Sequence, residues 1–308
     1  MPEVSEAATD AGITPKSCLK PGEGRTNCGA DGLSSCCESL LVPGGSFSRA
    51  FDGVTSGYAD ASFKSTISPF KLDRFEVTVG RFSTFVDAVV DGWRPSEGDG
   101  KHSHLNAGAG LALEDGGAEP GWSVAWNVHL MATKPEWNGV LLTPGGGAEI
   151  PNYPVARVNW YQAAAFCVWD GGFLPSEAEW NFAASGGSEH RVYPWSIPPA
   201  STLLTEAHAW FDDHDSFRVV GKTAPTGDGR WGHSDLSGNA AEWMLDAYRS
   251  PLTKSCIDCT NAFLTENVVR GGSVRTNGET IRSAVRAKVS PTTARDTLGL
   301  RCARPPTS

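Results

Sequence analysis

From LLVPGGSFSRAF onward, short apolar runs alternate with glycine and proline, and only three stretches carry a helical period. In VGRFSTFVDAVV the residues Val79, Phe82, Phe85, Val86 and Val89 fall on one face, and Thr78 stands before them as a cap. WYQAAAFCVW comes after Asn159, a second N-cap, and meets its stop at Gly171-Gly172. The third helix has the sharpest signature. In PSEAEWNFAASGG, Ser176 and Glu179 hold capping-box spacing, Pro175 precedes the cap and Gly186 comes after the last turn.

Between the first two helices lies a Gly-rich insertion, about residues 92 to 150, with Trp93, Trp122, Trp126 and Trp137. Long loops are uncommon unless functional or packed by their own side chains, and exposed indoles would promote aggregation, so this one is expected to pack. Residues 1 to 38 carry little apolar period; they read as a disordered start and then a small cysteine-clipped segment. No internal repeat appears, and the pattern predicts a loop-rich α+β domain.

Composition narrows the function classes. The chain has 308 residues, 40% hydrophobic and 20% charged, within the ordinary globular range. A net charge of -9 argues against nucleic acid as a partner, since little would neutralise phosphates. Apolar runs such as AAAFCVW fall far short of the roughly 20 residues of a membrane span, so none is predicted. Eight cysteines, with Cys18, Cys28, Cys36 and Cys37 close together and a Cys256/Cys259 pair, suggest an oxidised framework and an extracytoplasmic location. The beginning, MPEVSEAATDAGITPKS, shows no signal peptide. Adjacent Cys36 and Cys37 would strain a mutual bond, so both are expected to reach back to Cys18 and Cys28, in an order the sequence leaves open. Cys256 and Cys259 form a CxxC that serves either as a metal or redox pair or as a disulfide clip on a surface loop.

The motifs LLVPGGSF, KLDRFEVTVGRFSTFV, PVARVNWYQAAAFCVWDGGFLPSEAEWNFAA, YPWS, GHSDLSGNAAEW, VVRGGSV and LGLRCAR occur in this order. Together they resemble the formylglycine-generating enzyme (sulfatase-modifying factor) family over residues 40 to 304. The resemblance implies one domain, here residues 39–304, with an elaborated C-type-lectin-like fold and structural calcium. It leaves the cysteine segment and the insertion outside the family's common core. It also implies a structural disulfide between Cys167 and Cys302, which closes a loop worth roughly 4 to 5 kcal/mol on chain-entropy grounds.

Catalytic members carry two cysteines after the GGS turn that bind copper(I) as soft thiolates. This chain reads VRTNGETI there, with no cysteine between Gly271 and Arg301, so copper is not expected and the family's oxidation of a peptidyl cysteine is in doubt. The resemblance places calcium at Asp235, Leu236, Gly238 and Ala240, through one side-chain oxygen and backbone carbonyls. A turn in which Asp235 caps its own backbone is the other reading. A further calcium site would fall near Asp212, Asp213 and Asp215, where the motif match is poor. Glu242 and Trp243 match an NxWEW-type element, but Ala241 replaces a large aromatic, which should widen the neighbouring pocket or let the insertion fill it. Glu76 is expected to satisfy backbone donors inside the domain.

The HxH of His102 and His104, with His129, raises a metal reading against that of a polar loop. Iron-dependent relatives take their histidines from a separate helical domain that this chain lacks, and iron is not expected. Ser273 has no GxSxG elbow to make it a nucleophile. Ser273, Trp243, Arg282 and Arg286 are the candidate groove residues, the arginines as forks for a carboxylate or peptide carbonyls or else as structural partners of acids. The leading expectation is a calcium-stabilised, extracytoplasmic module that binds a peptide or protein without copper oxidase activity. The alternative is a metal-dependent oxidoreductase acting on a peptidyl thiol, whose site has moved to Cys256 and Cys259 or to His102 and His104.

Overall fold

Thr78 opens the first helix as its spacing predicts: its hydroxyl accepts from Arg81 N and α1 runs Val79–Val90. The structure is a computed structural model describing residues 14–141, 150–253, 255–262 and 265–306. A short helix α2 (Lys134–Trp137) lies in the insertion. Asn159 and Ser176 then cap α3 (Trp160–Trp169) and α4 (Glu177–Ala184), each through a complete capping box.

The strands are short. They are β1 (Ser39–Val42), β2 (Gly45–Ser48), β3 (Lys64–Ile67), β4 (Phe70–Asp73), β5 (Ala112–Leu113), β6 (Ala241–Ala247), β7 (Ser255–Ile257), β8 (Cys259–Thr260), β9 (Asn267–Arg270), β10 (Ala287–Val289), β11 (Leu298–Gly299) and β12 (Ala303–Arg304). They form sheets of order β10-β9-β6-β11, β1-β4-β12, β2-β3-β7 and β5-β8. In the four-stranded sheet β9 is antiparallel to β6, with Trp243 opposite Val269, and β11 is parallel to β6. The result is a loop-rich mixed α/β domain with few helices.

The larger core forms where α1 and α3 face each other. Phe82 stacks on Phe166 at 5.3 Å, and Trp137 packs against both Phe82 and Phe85 at 5.9 and 6.0 Å. Each such side chain, taken fully out of water, contributes about 1.5–3 kcal/mol. The insertion therefore enters the core: Trp122 and Trp137 are buried, and Trp93 and Trp126 are partly buried against the same cluster. Residues 142–149 lie outside the described residues.

The cysteine segment docks on the same helix pair. Cys18 bonds to Cys37 and Cys28 to Cys36. Arg81, fully buried on α1, pairs with Asp73 at 2.9 Å and Asp170 at 2.7 Å, and also donates to Ser17 Oγ and the Cys36 carbonyl. The Thr78 hydroxyl also donates to the Gly24 carbonyl, and a Cβ at Gly80 would collide with the Glu23 carbonyl. Close approach of two backbones is why a glycine stands inside the first turn of α1. Cys167 of α3 is bonded to Cys302 beside β12, 135 residues away.

Candidate functional site

β9 ends at Gly271 and Gly272, both with positive φ (84° and 64°). A Cβ on Gly272 would come within 2.7 Å of both Ile281 and Thr276, so the turn requires glycine there. Thr276 locks the backbone just beyond these glycines. Its hydroxyl accepts from Ser273 N at 2.8 Å and donates to the Ser273 carbonyl at 2.9 Å. Gly238 N donates to the Gly271 carbonyl and Val274 N to the Asn239 carbonyl, which joins the GGS turn to loop 235–240.

Beside this turn opens a cleft of about 120 Å³. Ala241, Val269, Ala287, Val289 and Leu298 give it apolar lining, while Ser273, Thr276, Thr280 and the exposed Arg295 supply polar groups. Ala241 is the position where a large aromatic was expected, and the space beside it is open. No cysteine or histidine is among the lining residues, so Ser273 has no base within the cleft. The arrangement offers a bound segment an apolar floor, hydroxyls and two guanidinium groups, Arg295 and the buried Arg270, whose charge Glu177 already meets.

Around loop 235–240, which the GGS turn joins, lies a set of buried acids. Glu76 accepts from Asn239 Nδ2 at 2.7 Å and from Ala240 N at 2.8 Å, so it does satisfy a backbone donor. Glu242 pairs with Arg301 at 2.7 Å, both fully buried, and accepts from Trp180 Nε1. Arg301 further donates to the carbonyls of Asp73, Arg74 and Ser234. Burial, with the charges of Asp235 and Glu242, pushes Glu76 well above the usual carboxylate range. Burial likewise raises Asp235 to about 6. Its Oδ2 accepts from Gly221 N at 2.5 Å, and Oδ1 has only the Thr223 hydroxyl at 3.5 Å. Such oxygens suit a hard cation, which would relieve the crowded carboxylates. No second and third side-chain ligand converges on Asp235 among the described residues, so backbone carbonyls would have to complete a calcium shell.

The other candidates are dispersed. Trp243 is fully buried and donates to the Val158 carbonyl, so it belongs to the core and not to the cleft. Arg286 is likewise withdrawn: it grips Glu177 with two donors at 2.5 and 2.7 Å, and Glu177 also meets Arg270 at 3.0 Å. Burial opposes ionisation of Glu177, but Arg286 and Arg270 hold it down to about 2. Arg282 lies by Tyr193 and Thr55, outside the cleft. Only Ser273 of the four predicted groove residues lines it; Arg295, in a stretch without periodic signal, was not foreseen. Asp212 N donates to the Thr276 carbonyl, and Asp212 and Asp213 do not join a three-ligand cluster among the described residues.

The relocated-metal ligands do not fit a metal. Cys256, Cys259 and Glu114 approach one another within 4.8 Å, but the two cysteines are bonded together and offer no thiolate, and Arg49 holds Glu114 at 2.8 Å. The CxxC thus bridges β7 and β8 and ties the β2-β3-β7 sheet to the insertion's β5. His102 has both ring nitrogens occupied, Nδ1 by Glu119 at 3.0 Å and Nε2 by Glu179 at 3.1 Å. His104 stacks on Phe173 and His129 on Tyr161, so the three histidines form no common site.

This fold, with its GGS turn zipped to an acidic loop, defines a class of domain. The sulfatase-modifying factor enzyme 1-like domain is matched over residues 25–306, and the chain belongs to that family. The match begins inside the cysteine-clipped segment. The chain is 30% identical to the formylglycine-generating enzyme of Streptomyces coelicolor over 86% of this chain and 88% of that protein. It is 29% identical to that of Thermomonospora curvata, over 87% and 93%. It is also 30% identical to the inactive C-alpha-formylglycine-generating enzyme 2 of Bos taurus, over 87% and 89%. Among solved structures, PvdO from Pseudomonas aeruginosa covers 97% of this chain and 100% of its own, with TM-score 0.59 and 19% identity, a likeness of fold.

Proposed function

We propose that the protein is an extracytoplasmic, calcium-stabilised member of the formylglycine-generating-enzyme family that binds an extended peptide or protein segment and lacks copper oxidase activity. One observation carries this reading. The chain has the GGS turn and an open cleft beside it, while residues 274–300 contain no cysteine to hold copper(I). The bovine relative, described as inactive, is a family member of the same standing in identity. Asp235, with carbonyls of Leu236, Gly238 and Ala240, would hold calcium and brace the loop behind the cleft. Four disulfides among the described residues favour an oxidising compartment.

A displayed random peptide library, selected on the native protein, tests the reading. Enriched peptides are expected to lose at least tenfold in affinity for Ala241→Trp, which fills the cleft, with little change in melting temperature. Failure to enrich any peptide, or unchanged binding by the variant, would sink it. Aerobic incubation with copper(I) and a cysteine-containing peptide is expected to leave the thiol unconverted, and an aldehyde product detected by mass spectrometry would count against it.

A further inference from the structure

A second concavity, of about 200 Å³, lies where the insertion meets α3 and the ends of β6 and β8. Trp122 and Trp126 from the insertion and Trp160 and Tyr161 from α3 line it. Successive rings stand nearly perpendicular: 84° between Trp122 and Trp126, 82° between Trp126 and Trp160, and 87° between Trp160 and Tyr161, with centroids 5.3 to 5.5 Å apart. Trp126 and Tyr161 stay only partly buried although they border the largest core cluster. Asn261 also lines the recess at 8% exposure. Its backbone N donates to Asp246 and its carbonyl accepts from Thr260, but its side-chain amide has no partner among the described residues.

The charged residues of the lining itself are acidic. Asp99 and Glu119 are among its lining residues, and no lysine, arginine or histidine is. Glu119 and Glu179 share one imidazolium, so that triad keeps a net negative charge. Burial alone would lower His102, but Glu179 and Glu119 raise it to about 10.

Aromatic faces attract cations, and an alkylated ammonium suits them best here because its methyl skin needs few hydrogen bonds. A sugar ring would need several free donors and acceptors. The polar groups of the lining are largely engaged: Asn267 Nδ2 donates to the Leu245 carbonyl, Glu119 holds His102, and Asp99 Oδ2 accepts from Ser96 N. We propose that this aromatic recess is a second binding site, separate from the cleft at Ser273, for a small molecule carrying a quaternary ammonium group of the trimethylammonium class, with the Asn261 amide meeting a polar atom of the same ligand.

Calorimetric titration of the native protein with choline, its neutral isostere 3,3-dimethylbutan-1-ol and methyl β-glucoside tests it. Choline is expected to bind saturably, with a Kd of about 1 mM or below, and the neutral isostere at least tenfold more weakly. Trp126→Ala is expected to weaken choline at least tenfold, while Ala241→Trp leaves it unchanged. The isostere comparison uses the native chain, so it holds even if Trp126→Ala folds poorly. No saturation with choline, equal binding of the isostere, or binding of the glucoside alone would overturn the proposal.

Discussion

His102 shows how one side chain holds distant parts of the domain. Its two carboxylate partners come from residue 119 in the insertion and residue 179 in α4. Its folded pKa of about 10 lies above the value of roughly 6.5 in an unfolded chain, so its stabilisation is complete below about pH 6.5 and fades as pH rises toward 10. The melting temperature of wild type should therefore fall across that window. His102→Asn should flatten this slope and cost about 3–5 kcal/mol, because it leaves buried carboxylates facing no charge. A differential scanning series from pH 6 to 10 on both proteins measures it; parallel curves would refute the assignment. The HxH spacing suggested two imidazoles on one face, and it misled because partners 17 and 77 residues away decide where the ring points. Arg286 is similar: a candidate fork for ligand is a fork for Glu177, 109 residues away. Glu177→Gln should remove about 3–5 kcal/mol, read by urea unfolding at pH 7.

Elements were legible where their determinants are local. The caps at Thr78, Asn159 and Ser176 each lie within a few residues of the groups they satisfy, and all three helices start where those residues stand. Ser176→Ala should cost about 1 kcal/mol through the lost cap. Thr78→Ala should cost a similar amount and, by also releasing Gly24, speed cleavage of the 14–38 segment in limited proteolysis. Unchanged cleavage would show that the docking does not depend on this hydroxyl. The strands were far less legible. β5 pairs with β8 across some 150 residues of sequence, and two-residue strands carry no readable alternation. The cleft shared this fate: Ser273 could be named from its glycines, whereas Ala287 reaches it through the pairing of β10 with β9, and Arg295 through a loop before β11 that is tied to Arg157.

Across the whole molecule, the Cys167–Cys302 bridge spans 135 residues and should contribute about 5 kcal/mol by restricting the unfolded chain. Cys167→Ala is expected to lower the melting temperature by many degrees, and a negligible change would deny the bridge that role. Family motifs made this pairing legible, whereas the spacing of the four early cysteines left the order Cys18–Cys37 and Cys28–Cys36 open. The stretch 298–304 does more than carry a cysteine. It supplies β11 to one sheet and β12 to another, and between them Arg301, the guanidinium that neutralises Glu242. None of these contacts can form until residues 298–304 have left the ribosome. The domain therefore cannot mature piecemeal during synthesis: Cys167 stays open to wrong partners until Cys302, 135 residues later, arrives.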